Sequence, residues 1–277
     1  MERVAKRTFR CRHNESVPVW GIVNQKGGVG KTTTSVNLAA CIAAAEKKTL
    51  LVDMDPQGNA TTGLGVDKSN VMGTLFDVIQ RTVNEPEAQD AIASVVVHVN
   101  PNLDLVPATL DLAGVEPVLH NAVGKEQILR EAVMAVYKDY EWIIIDAPPS
   151  LGLLAVNILA ACEKIIVPLQ TEFYAMEGIS HLLKTIDIVK RRINPRLEVA
   201  KVLLTMYDGR NNLAQNVVEE VQGYFGTKVS HVVIPRNVRL SEAPSFGEPA
   251  LTRFPESKGA IAYRELVDEV LRECVAL

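Results

Sequence analysis

Short runs of β-branched and aliphatic residues alternate along the chain with longer segments whose apolar positions recur at helical spacing. The short runs occupy 19–24, 49–53, 142–146, 164–169, 199–205 and 229–234, and their unbroken apolarity predicts parallel strands buried on both faces. The longer segments, 31–45, 125–137, 153–162, 178–193, 213–225 and 259–275, predict helices with an apolar face. This alternation is that of βαβ units, so an α/β fold is expected: a mostly parallel twisted sheet flanked by helices on both faces. Residues 66–120 are less regular. No fixed-period repeat, low-complexity tract or Pro/Ser-rich linker interrupts the pattern, and 18–277 is expected to form a single domain.

Composition and charge exclude several classes. With 47% hydrophobic and 22% charged residues, overall disorder is ruled out. Lys plus Arg is 29 against 33 Asp plus Glu, a net of −4, so any contact with nucleic acid must come from a local patch. Cys11, Cys41, Cys162 and Cys274 show neither metal nor disulfide spacing, and the five histidines show no metal spacing, which favours a reduced, cytoplasmic protein. The longest apolar stretch, 151–162, is shorter than the roughly 20 residues of a membrane span. Residues 1–17 carry Arg3, Lys6, Arg7, Arg10 and Arg12 against Glu2 and Glu15, with no apolar segment behind them to make a signal peptide. They read as a flexible basic arm.

The most informative segment lies between the first expected strand and the first long helix: Gln25, Lys26, Gly27, Gly28, Val29, Gly30, Lys31, Thr32, Thr33. Glycines there let backbone N–H groups close around phosphate oxygens, and the helix N-terminus adds a positive dipole. Lys31 can reach the β- and γ-phosphates, and the Thr32 hydroxyl can ligate magnesium. Two acidic segments follow at carboxyl ends of expected strands, Asp53 to Thr61 and Asp146 to Ser150. Ligands bind at that edge of an open α/β sheet, so the acids can converge on the phosphate loop. Asp146 suits a carboxylate holding Mg²⁺ through water, Asp55 one that orients the attacking water or helps hold the metal, and Asp53 a structural role.

The loop departs from the ordinary Walker A pattern, because Gln25 stands where a glycine is usual and Lys26 precedes the paired glycines. It resembles the deviant Walker A box of the ParA/MinD group of P-loop ATPases, with ATP and Mg²⁺ as cofactors. The resemblance makes Lys26 a signature lysine that crosses a homodimer interface to the partner's nucleotide. A second ammonium near the β/γ-phosphates stabilises charge during phosphoryl transfer, and supplying it in trans ties hydrolysis to dimerisation. It also makes Asp55 to Thr61 and Asp146 to Ser150 the switch segments that sense the γ-phosphate. Further stretches, Leu105 to Thr109, Pro168 to Gly178 and Ile234 to Ser245, are similar to chromosome-partition sequences of the ParA/Soj branch, and the likeness runs from 18 to about 275. It implies that Pro235 and Asn237 flank the adenine, with Met206 a weaker candidate.

The resemblance also implies ATP-dependent, sequence-independent binding of double-stranded DNA, release through hydrolysis stimulated by a ParB-like partner, and association with the nucleoid. Arg210 and Arg239 match positions where that family places DNA-binding arginines. Charge alone points to a second region: between 184 and 201 six cations, Lys184, Lys190, Arg191, Arg192, Arg196 and Lys201, oppose only Asp187 and Glu198. A solvated amphipathic face is the other reading of that charge. Neither Arg210 nor Arg239 has a neighbouring aromatic cluster in the sequence, which disfavours stacking on single strands. A MinD-like ATPase that binds a membrane surface is the alternative function. Against it, residues 261–277 carry Arg264 and Arg272 but Glu265, Asp268, Glu269 and Glu273, a surface that anionic lipid repels. A metabolic or metal-cluster relative would need a cysteine pair that the sequence lacks.

Overall fold

In a computed structural model, which describes residues 17–85, 90–172 and 175–275, the apolar runs assemble into one seven-stranded sheet. Its strands are β1 (Val19–Ile22), β2 (Thr49–Asp53), β3 (Val97–Asn100), β4 (Leu103–Val106), β5 (Trp142–Asp146), β6 (Lys164–Gln170) and β7 (Glu198–Thr205). The order across the sheet is β3-β4-β2-β5-β1-β6-β7, and every pair is parallel except β3 with β4. The basic arm lies outside the described residues, apart from Val17.

Helices are α1 (Lys31–Ala44), α2 (Asn59–Gly63), α3 (Leu75–Asn84), α4 (Val115–Asn121), α5 (Ile128–Val136), α6 (Leu153–Ala161), α7 (Ala175–Arg192), α8 (Asn212–Phe225), α9 (Val238–Glu242), α10 (Ala250–Arg253) and α11 (Lys258–Val275). They divide between the two faces of the sheet. On β5, Ile143 and Ile145 point into an apolar cluster built with α3 to α8. Trp142 and Ile144 point the other way, into a cluster built with α1, α2 and α9 to α11. That is why a central strand reads as an unbroken apolar run: both of its faces are covered. A fully buried Ile or Leu contributes about 1.5–3 kcal/mol, so the two layers fix the strand order firmly.

Three departures from the sequence reading have local causes. Strands β3 and β4 lie in the segment that reads as irregular. Their apolar pattern is broken by Asp104, which is buried because Tyr140 donates to its Oδ2 at 2.9 Å and His98 Nδ1 faces its Oδ1 at 2.6 Å. Helix α3 follows Thr74, whose N–H donates to the Asp77 carboxylate at 2.8 Å, half of a capping box. Residues 229–234 are not a strand. They touch β7 through Ser230 N to Val202 O and Ile234 N to Leu204 O, both at 2.9 Å. Between those bonds the His231 N–H goes to Glu269 Oε1 and the Val232 N–H to Ser230 Oγ, so no continuous ladder forms.

Candidate nucleotide site and arginine face

The phosphate loop sits at the carboxyl end of β1, flanked by β5 and β6, where the crossovers leave in opposite directions. Gly30, the residue before α1, has φ of +88°, a left-handed conformation that costs a side chain strain and glycine nothing. No side chain caps the helix, so the N–H groups of its first turn, including Thr32 and Thr33, are offered to an anion. The loop is braced on both sides. Asn24 accepts from Lys26 N at 3.0 Å and donates to Pro168 O at 2.7 Å, and Thr205 Oγ1 donates to Val29 O at 2.9 Å.

Lys31 is buried, and its Nζ donates to Lys26 O at 2.9 Å, curling back over the loop that Gly27 and Gly28 open. Burial lowers its pKa, and the charges of Asp146 and Asp55 oppose that shift. Asp146 is completely buried at the end of β5. Its Oδ1 accepts from Ser35 Oγ at 2.7 Å, while its Oδ2 has no hydrogen-bond partner. Burial, and then the charge of Asp53, push its carboxyl well above the ordinary range, and the bond from Ser35 counters this. Asp53 behaves as structural: its Oδ2 accepts from both the N–H and the hydroxyl of Thr61 at 2.8 Å, and that hydroxyl also accepts from Ala108 N. Asp55 is buried, and its Oδ1 accepts from Gln57 N at 3.0 Å.

Among the described residues no three His, Cys, Asp or Glu side chains form a metal-binding group. A hard cation here must draw on Thr32, one or two carboxylates and phosphate oxygens, which is how magnesium is commonly held. The orphaned Oδ2 of Asp146 and the all-oxygen donors fit that ion.

Lys26, half-exposed, is paired at 3.1 Å with Glu172 of its own chain, at the end of β6. Gln170 donates to the other oxygen of Glu172. Gln25 ties the loop to the start of α7, donating to Gly178 O and facing His181 Nδ1 at 3.2 Å. Ser35, Thr205, Gln25 and Glu172 are partners that sequence reasoning missed, because each lies more than 100 residues from the group it holds.

The adenine candidates do come together. Met206 follows Thr205 with φ of +52°, and the next residue, Tyr207, bridges to Pro235. Asn237 caps α9, its side chain accepting from Arg239 N at 2.9 Å.

Beyond this loop lie the arginines. Arg210 is fully exposed and forked onto Asp208, holding that carboxyl down at about 2, and Arg239 Nη1 pairs with Glu242 at 2.7 Å. The 207–211 and 235–239 loops are joined by Tyr207 N to Ile234 O and Arg236 N to Tyr207 O. Arg236 therefore belongs to the same face, a residue the sequence reading passed over. Arg239 has aromatic neighbours after all: its guanidinium carbon lies 4.8 Å from the centre of Phe254, which meets Phe246 edge-on. The cation-rich 184–201 segment is thinner than its composition. Lys190, Arg191 and Arg192 close α7 and are exposed, but Arg191 pairs with Asp187 and Arg196 with Glu163. Lys201 is buried between Glu269 and Glu273. Burial alone would lower it, yet these bonds hold it above its ordinary value, so it is withdrawn from any surface patch.

Comparison with known proteins places this geometry in a family. A model of the AAA domain matches residues 18–199. The sporulation initiation inhibitor protein Soj of Bacillus subtilis is 51% identical over 249 residues, covering 90% of this chain and 96% of that one. The chromosome partitioning protein ParA of Myxococcus xanthus is 50% identical over 251 residues, covering 91% and 87%. Among solved structures, cobyrinic acid a,c-diamide synthase from Mycobacterium smegmatis with bound ADP and magnesium superposes with a TM-score of 0.78. It is 36% identical, over 93% of this chain and 95% of that one. About half of the aligned residues are thus identical to those of partition proteins over nine-tenths of the chain, and the chain belongs to the Soj/ParA family of chromosome-partitioning ATPases.

Proposed function

We propose that the chain is an ATP-driven partition switch: ATP and Mg²⁺ close two copies face to face, the dimer binds duplex DNA without regard to sequence, and hydrolysis releases it. The observation that carries the reading is the convergence, on one sheet edge, of an uncapped helix N-terminus, buried Lys31 and the orphaned oxygen of Asp146. Open helix N–H groups and an unpartnered buried carboxylate oxygen are costly unless a ligand satisfies them, a buried ammonium held only by a carbonyl is poised for an anion, and a magnesium nucleotide answers all three at once.

Backbone N–H groups from Gly27 to Thr33 cradle the phosphates, and Lys31 leaves the Lys26 carbonyl to meet the β/γ-oxygens. Thr32, Asp146 and Asp55 would hold magnesium, whose charge would offset that of the phosphates. Asp55 orients the attacking water. Lys26 must part from Glu172 to reach the nucleotide of the second copy, which makes hydrolysis a property of the dimer. The loop of Met206, Pro235 and Asn237 borders the adenine. Dimerisation brings two faces bearing Arg210 and Arg239 onto one duplex, and doubling the phosphate contacts multiplies affinity. A ParB-like protein accelerates hydrolysis, and the released chain returns to the nucleoid after exchanging nucleotide.

The test is co-sedimentation with duplexes of unrelated sequence, with ATP, a slowly hydrolysed analogue, ADP or no nucleotide, beside anionic liposomes. A salt-sensitive shift with triphosphate alone, whatever the sequence, is the expected outcome. Recruitment to liposomes with no DNA shift would replace the reading with a membrane-positioning ATPase.

A further inference from the structure

The face around Arg239 carries an arrangement that the partition reading does not use. Arg253, the last residue of α10, places its guanidinium carbon 4.1 Å from the centre of Phe246 and 5.9 Å from that of Phe254. Arg239 lies 4.8 Å from Phe254. Two guanidinium groups and two rings therefore alternate, and the rings meet edge-on at 6.2 Å. A guanidinium stacked through its face keeps its N–H donors for another partner, and stacking holds a long side chain in place before that partner arrives.

We propose that Arg253 is a further contact for the phosphate backbone of duplex DNA, set beside Arg239 by Phe246 and Phe254; this rests on the reading of the chain as a DNA-binding partition ATPase. Arg210 is engaged by Asp208 of its own loop and Arg239 by Glu242, one turn on in α9. Arg253 is exposed and has no ion pair among the described residues, so its full charge is offered to phosphate. Duplex rather than single-stranded DNA is the occupant, because the rings serve as platforms for guanidinium groups rather than for unstacked bases.

The site is also rooted on the nucleotide edge. Gly247, next to Phe246, is pressed against Gly65, just past α2: a Cβ on Gly247 would stand 2.6 Å from the Gly65 Cα. Helix α2 follows Asp55 and is held to Asp53 through Thr61. The segment after Asp55 is thereby in direct backbone contact with the loop that carries Phe246.

The experiment measures duplex affinity of the full chain across a salt series, with magnesium and a slowly hydrolysed ATP analogue. Each neutralised phosphate contributes about 0.9 to the logarithmic salt slope, so Arg253→Ala should reduce the slope by about 0.9 per protomer, about 1.8 for the dimer. Arg253→Lys keeps the charge and should keep the slope, which separates a lost contact from a misfolded chain. Phe254→Leu should retain the slope and weaken binding about two- to fivefold per protomer. Wild-type slope and affinity in Arg253→Ala, with the wild type binding normally, would overturn the proposal and leave the partition reading standing. A wild type that prefers single strands, losing that preference in Phe254→Leu, would overturn the assignment of duplex DNA. Failure of the wild type to bind any DNA with the analogue would instead defeat the underlying reading, before any variant is compared.

Discussion

The phosphate loop and the arginine face meet along the 205–207 and 235–239 segments but are built on opposite principles. Around the loop, polar groups are buried and cross-braced by distant partners: Ser35 to Asp146, Thr205 to Val29, Asn24 to Pro168. On the arginine face, cations are exposed and tied, where they are tied at all, to carboxylates two or three residues away. The first arrangement holds a rigid constellation at the cost of polar groups that only a ligand completes. The second leaves weak, salt-sensitive contacts that acquire strength by number. Under the proposed function, a chain that binds nucleotide firmly and releases DNA readily benefits from both.

Substitutions can widen or collapse this contrast. Lys31→Ala should have the largest effect, since truncating one member of a buried charge pair costs about 2–5 kcal/mol. Nucleotide affinity should fall by roughly thirtyfold or more, read by equilibrium titration. Near-native affinity would mean that Lys31 stays on the Lys26 carbonyl. Asp146→Asn should be next, and opposite in sign for stability. It removes a buried carboxylate with one oxygen unpartnered and keeps an acceptor for Ser35. The nucleotide-free chain should become more stable by about 1–3 kcal/mol at neutral pH, while hydrolysis is lost. A lower melting temperature would show that the carboxylate is compensated within the fold.

Legibility in the sequence followed the same divide. Fold class and phosphate loop were readable because each is local: an apolar run buried on both faces, and nine adjacent residues around three glycines. The carboxylates Asp55 and Asp146 were readable through their position at strand ends. What holds them was not, because Ser35 and Asp146 stand 111 residues apart and neither residue type announces the pairing. On the outer face, composition misled. Lys201 counts as a cation in the sequence but is enclosed by Glu269 and Glu273 of α11, and the aromatic platform of Arg239 comes from residues 246 and 254. Strand β4 escaped notice because Asp104 is polar by type and buried by virtue of Tyr140 and His98.

Arg239→Glu probes the outer face alone. Two copies per dimer exchange attraction for repulsion, so duplex affinity should fall at least about tenfold at moderate salt, equally for unrelated sequences. Nucleotide-driven dimerisation, followed by light scattering, should persist. Its loss would make Arg239 part of the interface and erase the distinction between the two regions.

The smallest expected effect sharpens the boundary between them. Asn237 sits where both regions meet, and its side-chain oxygen is already committed to the N–H of Arg239 at the start of α9. Asn237→Ala removes that cap, a loss of about 1 kcal/mol, while Asn237→Asp preserves an acceptor for it. If capping is the residue's whole contribution, Ala should lower thermal stability and Asp should restore it, with ATP affinity following stability in both. If the amide also meets the adenine through its N–H₂, Asp should restore stability yet bind ATP as poorly as Ala, because a carboxylate cannot donate. Melting curves and nucleotide titrations on the same two variants therefore decide whether this residue serves the helix that carries Arg239, the base, or both.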